Sequence, residues 1–253
     1  GLFQEVSEDN NEVDVPVCIY FERSGFPKVM EGEEGLSPVL TDLDGQPGPE
    51  VLLSVRHPAR VEAYSVESDV SLWLFEDESS PLRGSPAVGD IDGDGVVDVA
   101  ICHGDSVTVV SGDSGTPTSG FPVVVSRLKS GPSLGDFRNA DGVLEIQVEA
   151  EGPSGHPEWD EHRAMLITSA GEPIETCAFG GELAGVPRLE SCIAAADLTD
   201  DGCLDAVTAY VPGGILGGTS GRVGAVDGFS WSSLWNLTVS LGSWGGTDDP
   251  AIE

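Results

Sequence analysis

Apolar residues in this chain occur in short runs, separated by stretches rich in glycine, proline and aspartate. No long apolar face with the 3.6-residue period of a helix is present. Short runs of β-branched residues bounded by such turn residues are typical of strands. The pattern therefore predicts an all-β chain, with strands in these runs: Val51–Val55, Val99–Cys102, Val107–Val110, Ile146–Val148, Ala206–Tyr210 and Arg222–Val226.

The run Val99–Cys102 directly follows an acidic loop, Asp90-Ile-Asp92-Gly-Asp94-Gly-Val-Val-Asp98. The loop places carboxylates at positions 1, 3, 5 and 9, and its two glycines allow the backbone to turn sharply enough for them to converge. Carboxylates so close together repel one another unless a cation lies between them. Because Ca²⁺ takes about six to eight oxygen ligands, the loop predicts a calcium site.

The acidic loop recurs along the chain. One copy is Asp197-Leu-Thr199-Asp-Asp201-Gly-Cys203-Leu-Asp205, with threonine at the third position. Another is Asp42-Leu-Asp44-Gly-Gln46-Pro-Gly48-Pro-Glu50, with glutamine at the fifth position and glutamate at the ninth.

A fourth copy, Asp136-Phe-Arg-Asn-Ala-Asp141-Gly-Val-Leu-Glu145, is degenerate. It has one extra residue, which shifts Asp141 out of register, and Arg138 puts a cation at its third position. We therefore do not expect this loop to hold an ion.

The loops repeat at a regular interval. Their first aspartates are 48, 46 and 61 residues apart, and a proline precedes the first aspartate by four residues in three copies, as Pro38, Pro86 and Pro132. A period of about 40–50 residues, with short strands and Gly/Pro turns, is typical of a β-propeller. Each blade of such a fold is a four-stranded antiparallel sheet arranged about a central axis.

The predicted fold is therefore a β-propeller of four-stranded antiparallel blades, with about five blades or as part of a larger ring. The acidic loop joins the first two strands of each blade. The whole chain, residues 1–253, is one propeller domain or segment, with units at 1–36, 37–84, 85–130, 131–191 and 192–248 and the start of another at 249–253.

The unit Ser85–Ala100 resembles the FG-GAP/VCBS-type repeat of integrin alpha-chain propellers and of many secreted microbial proteins. The resemblance extends over nearly the whole chain from about Val15, and it implies structural Ca²⁺ bound by the loops. Carried over by position, the implied ligands are Asp90, Asp92, Asp94, Asp98 and the Val96 carbonyl; Asp197, Thr199, Asp201, Asp205 and the Cys203 carbonyl; and Asp42, Asp44, Gln46, Glu50 and the Gly48 carbonyl.

Both ends of the chain match parts of the repeat. Asp249–Glu253 matches Ser85–Gly89, and Gly1–Val6 resembles the end of an acidic loop entering a second strand. Val15–Phe21 then predicts a third strand, and the phrase Ser24-Gly-Phe-Pro27 recurs as Ser119-Gly-Phe-Pro122. Two interpretations follow: the chain is a segment of a longer propeller, or its C-terminal strand joins the N-terminal strands to close five blades.

The chain is strongly acidic, with 44 acidic and 11 basic residues and a formal net charge of −33. This charge argues against nucleic-acid binding, which needs a basic surface, and against docking on anionic lipid. Scarce lysine with abundant acidic residues resembles proteins of salt-loving microbes, and an acidic protein secreted into a calcium-rich medium is the alternative. Both imply a location outside the cell or in a salty cell interior, and the predicted location is extracellular or at the cell surface, without direct membrane insertion.

Five cysteines are present, an odd number. Cys177 and Cys192 flank a glycine-rich turn and could pair, and a Cys192–Cys203 pair is the other option. Cys18 and Cys102 lie in apolar runs and are predicted to be buried thiols.

Candidate chemistry outside the loops is sparse. The segment His156-Pro-Glu-Trp-Asp-Glu-His162 could bind a transition metal, although a solvated acidic loop is the favoured interpretation. The sequence contains no nucleophile, phosphate-loop or dinucleotide motif. We therefore expect no catalytic residues.

Two functions from different classes fit the sequence. The first is an extracellular, calcium-stabilised adhesion, binding or assembly module that displays loops to a protein, a glycan or a neighbouring subunit. The second is a propeller-fold polysaccharide lyase or hydrolase in which calcium bridges an acidic sugar to the protein.

Overall fold

The structure is a computed structural model, and it describes residues 30–151, 162–178, 193–210, 220–228, 230 and 232–240. Several sequence predictions lie outside these residues. They are the strand at 15–21, the terminal segments at 1–6 and 249–253, most of the histidine segment at 156–162, Cys18 and Cys192.

The described part of the chain consists of strands and turns, with no helix, as the hydrophobic pattern predicts. The strands form four sheets, which we call blades 1 to 4. Blade 1 contains β1 (Glu33–Gly35), β2 (Val39–Thr41), β3 (Glu50–His57), β4 (Ala59–Ser65) and β5 (Val70–Asp77). Blade 2 contains β6 (Ala87–Gly89), β7 (Asp98–His103), β8 (Ser106–Ser111) and β9 (Val123–Val124).

Blade 3 contains β10 (Ser133–Gly135), β11 (Glu145–Glu151), β12 (His162–Ile167) and β13 (Pro173–Ala178). Blade 4 contains β14 (Ile193–Ala196), β15 (Asp205–Tyr210), β16 (Ser220–Val226) and β17 (Ser233–Ser240). In blades 2 to 4, strands that are consecutive in sequence pair antiparallel, and β3, β4 and β5 of blade 1 do the same, which confirms the predicted four-stranded unit.

Blade 1 differs only at its first edge, where β1 and β2 both pair with β3. Pro38 lies between them, and the Leu36 amide donates to the Ser54 carbonyl, so the two short strands act as one interrupted strand. Pro86 and Pro132 likewise stand directly before β6 and β10. Proline has no amide to donate, and these first strands are edge strands, where its loss costs no ladder bond.

In the described part of the chain, blades 2 and 3 each pack between two others, and β7 of blade 2 is therefore apolar on both faces. In β7, Val99 and Ile101 join a core with blade 1, while Ala100 and Cys102 join a core with blade 3. A third core lies between blades 3 and 4 around Phe137. The blades therefore pack face to face in chain order.

The first strands of the blades lie side by side, since β10 contacts both β6 and β14. Sheets that pack in sequence with their first strands adjacent share one axis. The described blades thus form part of a β-propeller, as the sequence predicts.

Close backbone contacts join consecutive blades. The Gly112 amide in blade 2 donates to the Val97 carbonyl, and its carbonyl accepts the Trp73 indole N–H of blade 1 at 2.6 Å. A Cβ atom at Gly112 would lie 2.2 Å from the Val97 carbonyl oxygen. Only glycine allows this approach within blade 2, and it leaves room for Leu43 of the blade 1 loop, whose Cδ2 would lie 2.8 Å from the same Cβ atom.

Candidate metal centres in the strand-connecting loops

Each acidic loop joins the first strand of a blade to the second, as predicted. The closing acid of the loop is the first residue of the second strand, and it lies opposite the residue that precedes the first aspartate. In blade 2 this pair is Gly89 and Asp98, and in blade 4 it is Ala196 and Asp205. Pairing of the two strands therefore holds both ends of the loop.

The closing acids point into the loops and are buried. Asp98 is 1% exposed, and its Oδ2 accepts the amides of Ile91 at 3.0 Å and Asp92 at 3.3 Å. Asp205 is fully buried and accepts the corresponding amides of Leu198 and Thr199. These bonds fold the loop back over its own closing carboxylate.

The closing acids of blades 1 and 3 are glutamates that do the same. Glu50 Oε2 accepts the Leu43 amide at 2.9 Å, and Glu145 Oε2 accepts the Phe137 amide at 2.9 Å. The longer glutamate side chain thus accepts the amide of the second loop residue from the strand position that aspartate takes in blades 2 and 4.

The first aspartates organise the turn itself. Asp90 accepts the amides of Gly93 at 2.9 Å and Gly95 at 3.0 Å. Both glycines have left-handed backbone angles, with φ of 78° and 88°. The sequence Asp-x-Asp-Gly-Asp-Gly therefore encodes a loop in which glycines supply angles that other residues rarely adopt.

The acidic loops of blades 1 and 2, residues 42–50 and 90–98, are called loops 1 and 2, and each brings three carboxylates together. One oxygen from each of Asp42, Asp44 and Glu50 lies within 4.8 Å of the others, and the same holds for Asp90, Asp92 and Asp98. This arrangement includes the first, third and ninth positions that the sequence predicted.

The fifth-position side chains of these loops are not part of the two clusters. Asp94 Oδ1 accepts the Val96 amide at 2.8 Å, so this carboxylate supports the turn. Gln46 at the corresponding place has no carboxylate. The carbonyls of Gly48, Val96 and Cys203 stay predicted ligands.

The loop of blade 4 has the same hydrogen bonds as loop 2, but it offers a different set of oxygen ligands to a metal ion. Asp197 accepts the amides of Asp200 and Gly202, and Asp201 accepts the Cys203 amide. Because Thr199 replaces the third-position acid, the loop does not gather three carboxylates as loops 1 and 2 do, within the residues that the structure describes.

The third-blade loop departs from our sequence interpretation. Asp136 Oδ2 accepts the Gly142 amide and Asp141 Oδ1 accepts the Val143 amide, the bonds made by Asp90 and Asp94 in loop 2. Asp141 is thus in structural register. The backbone accommodates the extra residue at Asn139 and Ala140, which adopt left-handed φ angles of 71° and 48°.

This third loop still lacks a third-position acid, since Arg138 stands there. Asp136 Oδ1 is buried and has no hydrogen-bond partner. Burial, together with the charges of Asp136 and Asp141, raises the pKa of Glu145.

Electrostatics single out Asp98. Burial, reinforced by the charges of Asp92 and Asp94, raises the pKa of Asp98 to about 6, against the opposing effect of its two backbone hydrogen bonds. A cation among these carboxylates would offset the cost of burying the ionised form of Asp98. Their oxygen ligands suit a hard ion such as Ca²⁺.

No protein-family model matches this chain. No curated protein matches it either. Among solved structures, the crystal structure of the V. cholerae biofilm matrix protein Bap1 is similar, with 16% identity over 81% of this chain and 39% of that chain and a TM-score of 0.44. The structure of the Dos1 propeller is similar at 12% identity over 76% of this chain and 45% of that chain, with a TM-score of 0.47. The chain spans less than half the length of either.

A second polar centre, which the sequence did not predict, joins blades 1 and 2. His103 Nδ1 lies 2.9 Å from Asp77 Oδ2, and His103 Nε2 lies 2.9 Å from Thr108 Oγ1. Hydrogen bonds from the side chains of Ser79 and Ser80 hold the pKa of Asp77 well below its usual range. Thr108 is only 4% exposed, and this centre links the two blades.

Near that centre, an open groove of about 500 Å³ lies at the end of blade 1 remote from the acidic loop. Its walls include Glu31, His57, Arg60, Glu76 and Glu78. The Arg60 guanidinium pairs with Glu76 and also donates to the Glu31 carbonyl. The groove is therefore polar, with its one arginine already engaged.

The two cysteines whose side chains the structure describes lie in the protein interior. Cys102 and Cys203 are buried free thiols, which confirms the prediction for Cys102. Burial raises the pKa of both thiols. None of the described residues forms a helix long and apolar enough to cross a membrane.

Proposed function

We propose that this chain is a calcium-stabilised β-propeller module of the FG-GAP/VCBS type that acts outside the cell by binding, without catalysis. Its partner would be a protein, a glycan or a neighbouring subunit of an extracellular assembly. The observation that carries the proposal is the convergence of Asp42, Asp44 and Glu50, and separately of Asp90, Asp92 and Asp98, within 4.8 Å.

The chemistry of these clusters supports calcium. Three carboxylates carry a local charge that is unfavourable without a cation. Burial first, and the charges of Asp92 and Asp94 in addition, raise the pKa of Asp98. Bound Ca²⁺ would neutralise the cluster and tie the second strand of the blade to its loop. Ion binding would then stabilise the rim of loops that is available to a partner.

A role in binding fits the rest of the described surface. The His103–Asp77 pair joins blades 1 and 2, with His103 also bound to the buried Thr108, and the polar groove at blade 1 has its arginine paired with Glu76. A net charge of −33 disfavours polyanionic partners. Neutral glycans and proteins with basic surfaces are the partners that this charge favours.

The test begins with calcium. Protein freed of metal by chelation is titrated with Ca²⁺ and, separately, Mg²⁺ while thermal unfolding and binding heat are measured. Ca²⁺ at a hundred times its dissociation constant should stabilise the fold by about 2.7 kcal/mol per site. Asp90→Asn with Asp92→Asn should remove one site, whereas Asp113→Asn, in a turn outside the loops, should not.

An unfolding temperature that is the same with excess chelator and with calcium would contradict the metal role. Binding is then tested on arrays of neutral, acidic and basic glycans with and without Ca²⁺. Incubation with the same polysaccharides, followed by analysis of chain length, tests the alternative of a lyase or hydrolase, because any cleavage would overturn a purely binding role.

A further inference from the structure

One face of β11 carries three buried polar side chains, which we call the polar row. They are Glu145, Gln147 and Glu149, which are 6%, 0% and 0% exposed. They alternate with Ile146 and Val148, which belong to the core shared with blade 2. Because successive side chains of a strand point to opposite faces, the polar row lies on the face turned away from blade 2.

The polar row faces blade 4. Gln147 is paired with Leu166 of β12, and Glu149 is paired with Ala164. Side chains that are directly opposite each other in paired strands lie on the same face of the sheet. Since Leu166 and Ala164 belong to the core that contains Ala206 of blade 4, Gln147 is directed into the interface between blades 3 and 4.

The other described blades have smaller or apolar side chains in place of the polar row. Gln147 and Glu149 are the second and fourth residues after the closing acid of their loop. The corresponding residues are Leu52 and Ser54 in blade 1, Ala100 and Cys102 in blade 2, and Val207 and Ala209 in blade 4. Among these blades, a long polar side chain followed by a carboxylate is therefore particular to blade 3.

Gln147 is the member of the row whose hydrogen bonds are missing. Among the residues that the structure describes, neither Oε1 nor Nε2 of Gln147 has a hydrogen-bond partner, although the side chain is fully buried. Burial has removed the bonds of this carboxamide to solvent without replacing them, which is unfavourable. Its occupant must supply a donor for Oε1 and an acceptor for the N–H groups of Nε2.

Water meets both requirements, whereas a metal cation would bind Oε1 and leave the N–H groups without an acceptor. Polar neighbours that could share this water lie on the same face. Ser133 of β10 is directly opposite Gln147, which places the two Cβ atoms about 5 Å apart. Glu145 and Glu149 are two residues away along the strand, or about 6.6 Å, a gap that one water with two hydrogen bonds of about 2.8 Å can bridge.

We propose that a water molecule is bound in the interface between blades 3 and 4, hydrogen-bonded to the Gln147 carboxamide, the Ser133 hydroxyl and a carboxylate of the polar row. This water is part of the interface, since it gives the buried carboxamide the partners that the protein does not. The inference depends neither on calcium nor on the proposed function.

NMR spectroscopy with nitrogen-15 in the glutamine side chains tests this inference, because the chain has three glutamines, Gln4, Gln46 and Gln147. Their signals are assigned through the bonds to each backbone, so the unaltered protein suffices. With chelator present, the Gln147 N–H groups should show cross-peaks to water with NOE and ROE of opposite sign, the signature of a long-lived bound water. Gln46 is exposed and is the internal control, for which no such signature is expected.

Oxygen-17 relaxation dispersion of the solvent, which counts long-lived waters, gives a second measurement in the same chelated sample. Gln147→Leu should lower the count by one, Ser133→Ala should shorten the residence time of this water, and Ser114→Ala, in an exposed turn, should change neither. A Gln147 signal with cross-peaks to protein hydrogens and none to water would overturn the proposal. So would a count that Gln147→Leu leaves unchanged, or Gln147 signals that shift with added K⁺ while those of Gln46 do not, since a cation would then be the occupant.

Discussion

At the scale of single residues, the decisive group is the closing acid of each loop. Asp98 is buried at the start of β7, accepts two amides of its own loop and lies in a cluster with Asp90 and Asp92. Its carboxylate accepts backbone hydrogen bonds and is also a predicted ligand of the metal ion. The sequence pattern identifies the residue, but its burial and altered pKa follow from strand pairing.

The raised pKa of Asp98 predicts how calcium binding depends on pH. Its pKa in the folded protein, about 6, lies above the usual value of 3.8, so the metal-free fold takes up a proton as the pH falls through 6. The metal-free fold gains stability below pH 6 from this group and loses it above. Because Ca²⁺ needs the ionised form, its affinity for loop 2 should fall by about tenfold per pH unit below 6.

Calorimetric titration with Ca²⁺ between pH 4.5 and 7.5 measures this dependence. The Asp90→Asn, Asp92→Asn variant, which lacks the loop 2 site, isolates the contribution of loop 1. Affinity that is constant across this range would contradict the role of Asp98 as a ligand.

At the scale of structural elements, one loop design is used with different donor sets. Asp200 adopts a left-handed φ of 60° where loop 2 has Gly93, and in both loops the amide of this residue donates to the first aspartate. The backbone of the loop therefore tolerates sequence changes, whereas the carboxylate cluster does not survive the loss of its third-position acid.

Restoring that acid should restore the cluster. Thr199→Asp gives the fourth-blade loop carboxylates at positions 1, 3 and 9, as in loop 2. We expect calcium affinity at this loop to rise at least tenfold in isothermal titration, with Thr199→Asn as the neutral control. Equal affinity in the two variants would show that the loop backbone, and not its charge, limits ion binding.

The contact between blades makes a separate prediction at Gly112. A Cβ atom there would lie 2.2 Å from the Val97 carbonyl oxygen and 2.8 Å from Leu43 Cδ2. Gly112→Ala should therefore lower the free energy of unfolding by about 3 kcal/mol or more. Gly35→Ala, with nothing within 4 Å of its Cβ, is the matched control. Similar denaturation midpoints for the two variants would contradict this account.

At the scale of the whole molecule, charge opposes the packing of blades. A net charge of −33 produces self-repulsion that screening reduces, since the Debye length shrinks to about 3 Å in 1 M salt. The apolar cores between consecutive blades must outweigh this repulsion. Local ion binding and general screening are two separate ways of reducing it.

Salt should therefore stabilise the protein even where calcium is absent. With chelator present, raising NaCl from about 0.02 M to 1 M should increase the unfolding temperature, and a gain of about 2 kcal/mol corresponds to roughly 4–8 °C for a chain of this length. KCl should act equally. A melting temperature that falls with salt would show that attractive ion pairs, rather than repulsion, dominate the surface.

The repeat pattern alone predicted strands, blades and loops, because these depend on local features. Alternating apolar residues, prolines at edge strands and glycines at sharp turns act within a few residues of one another, and each recurs in the sequence of this protein. The predicted ligands at positions 1, 3 and 9 of loops 1 and 2 also come together as expected.

Only the tertiary structure decided which side chains actually meet. Backbone angles at Asn139 and Ala140 return Asp141 to register in the third-blade loop. In loop 2, the Val96 amide donates to Asp94, whose carboxylate lies outside the cluster of the other three aspartates. Packing of blade 1 on blade 2 brings Asp77 to His103, which lie 26 residues apart. Such encounters depend on dihedral angles and sheet stacking, which one-dimensional spacing does not contain.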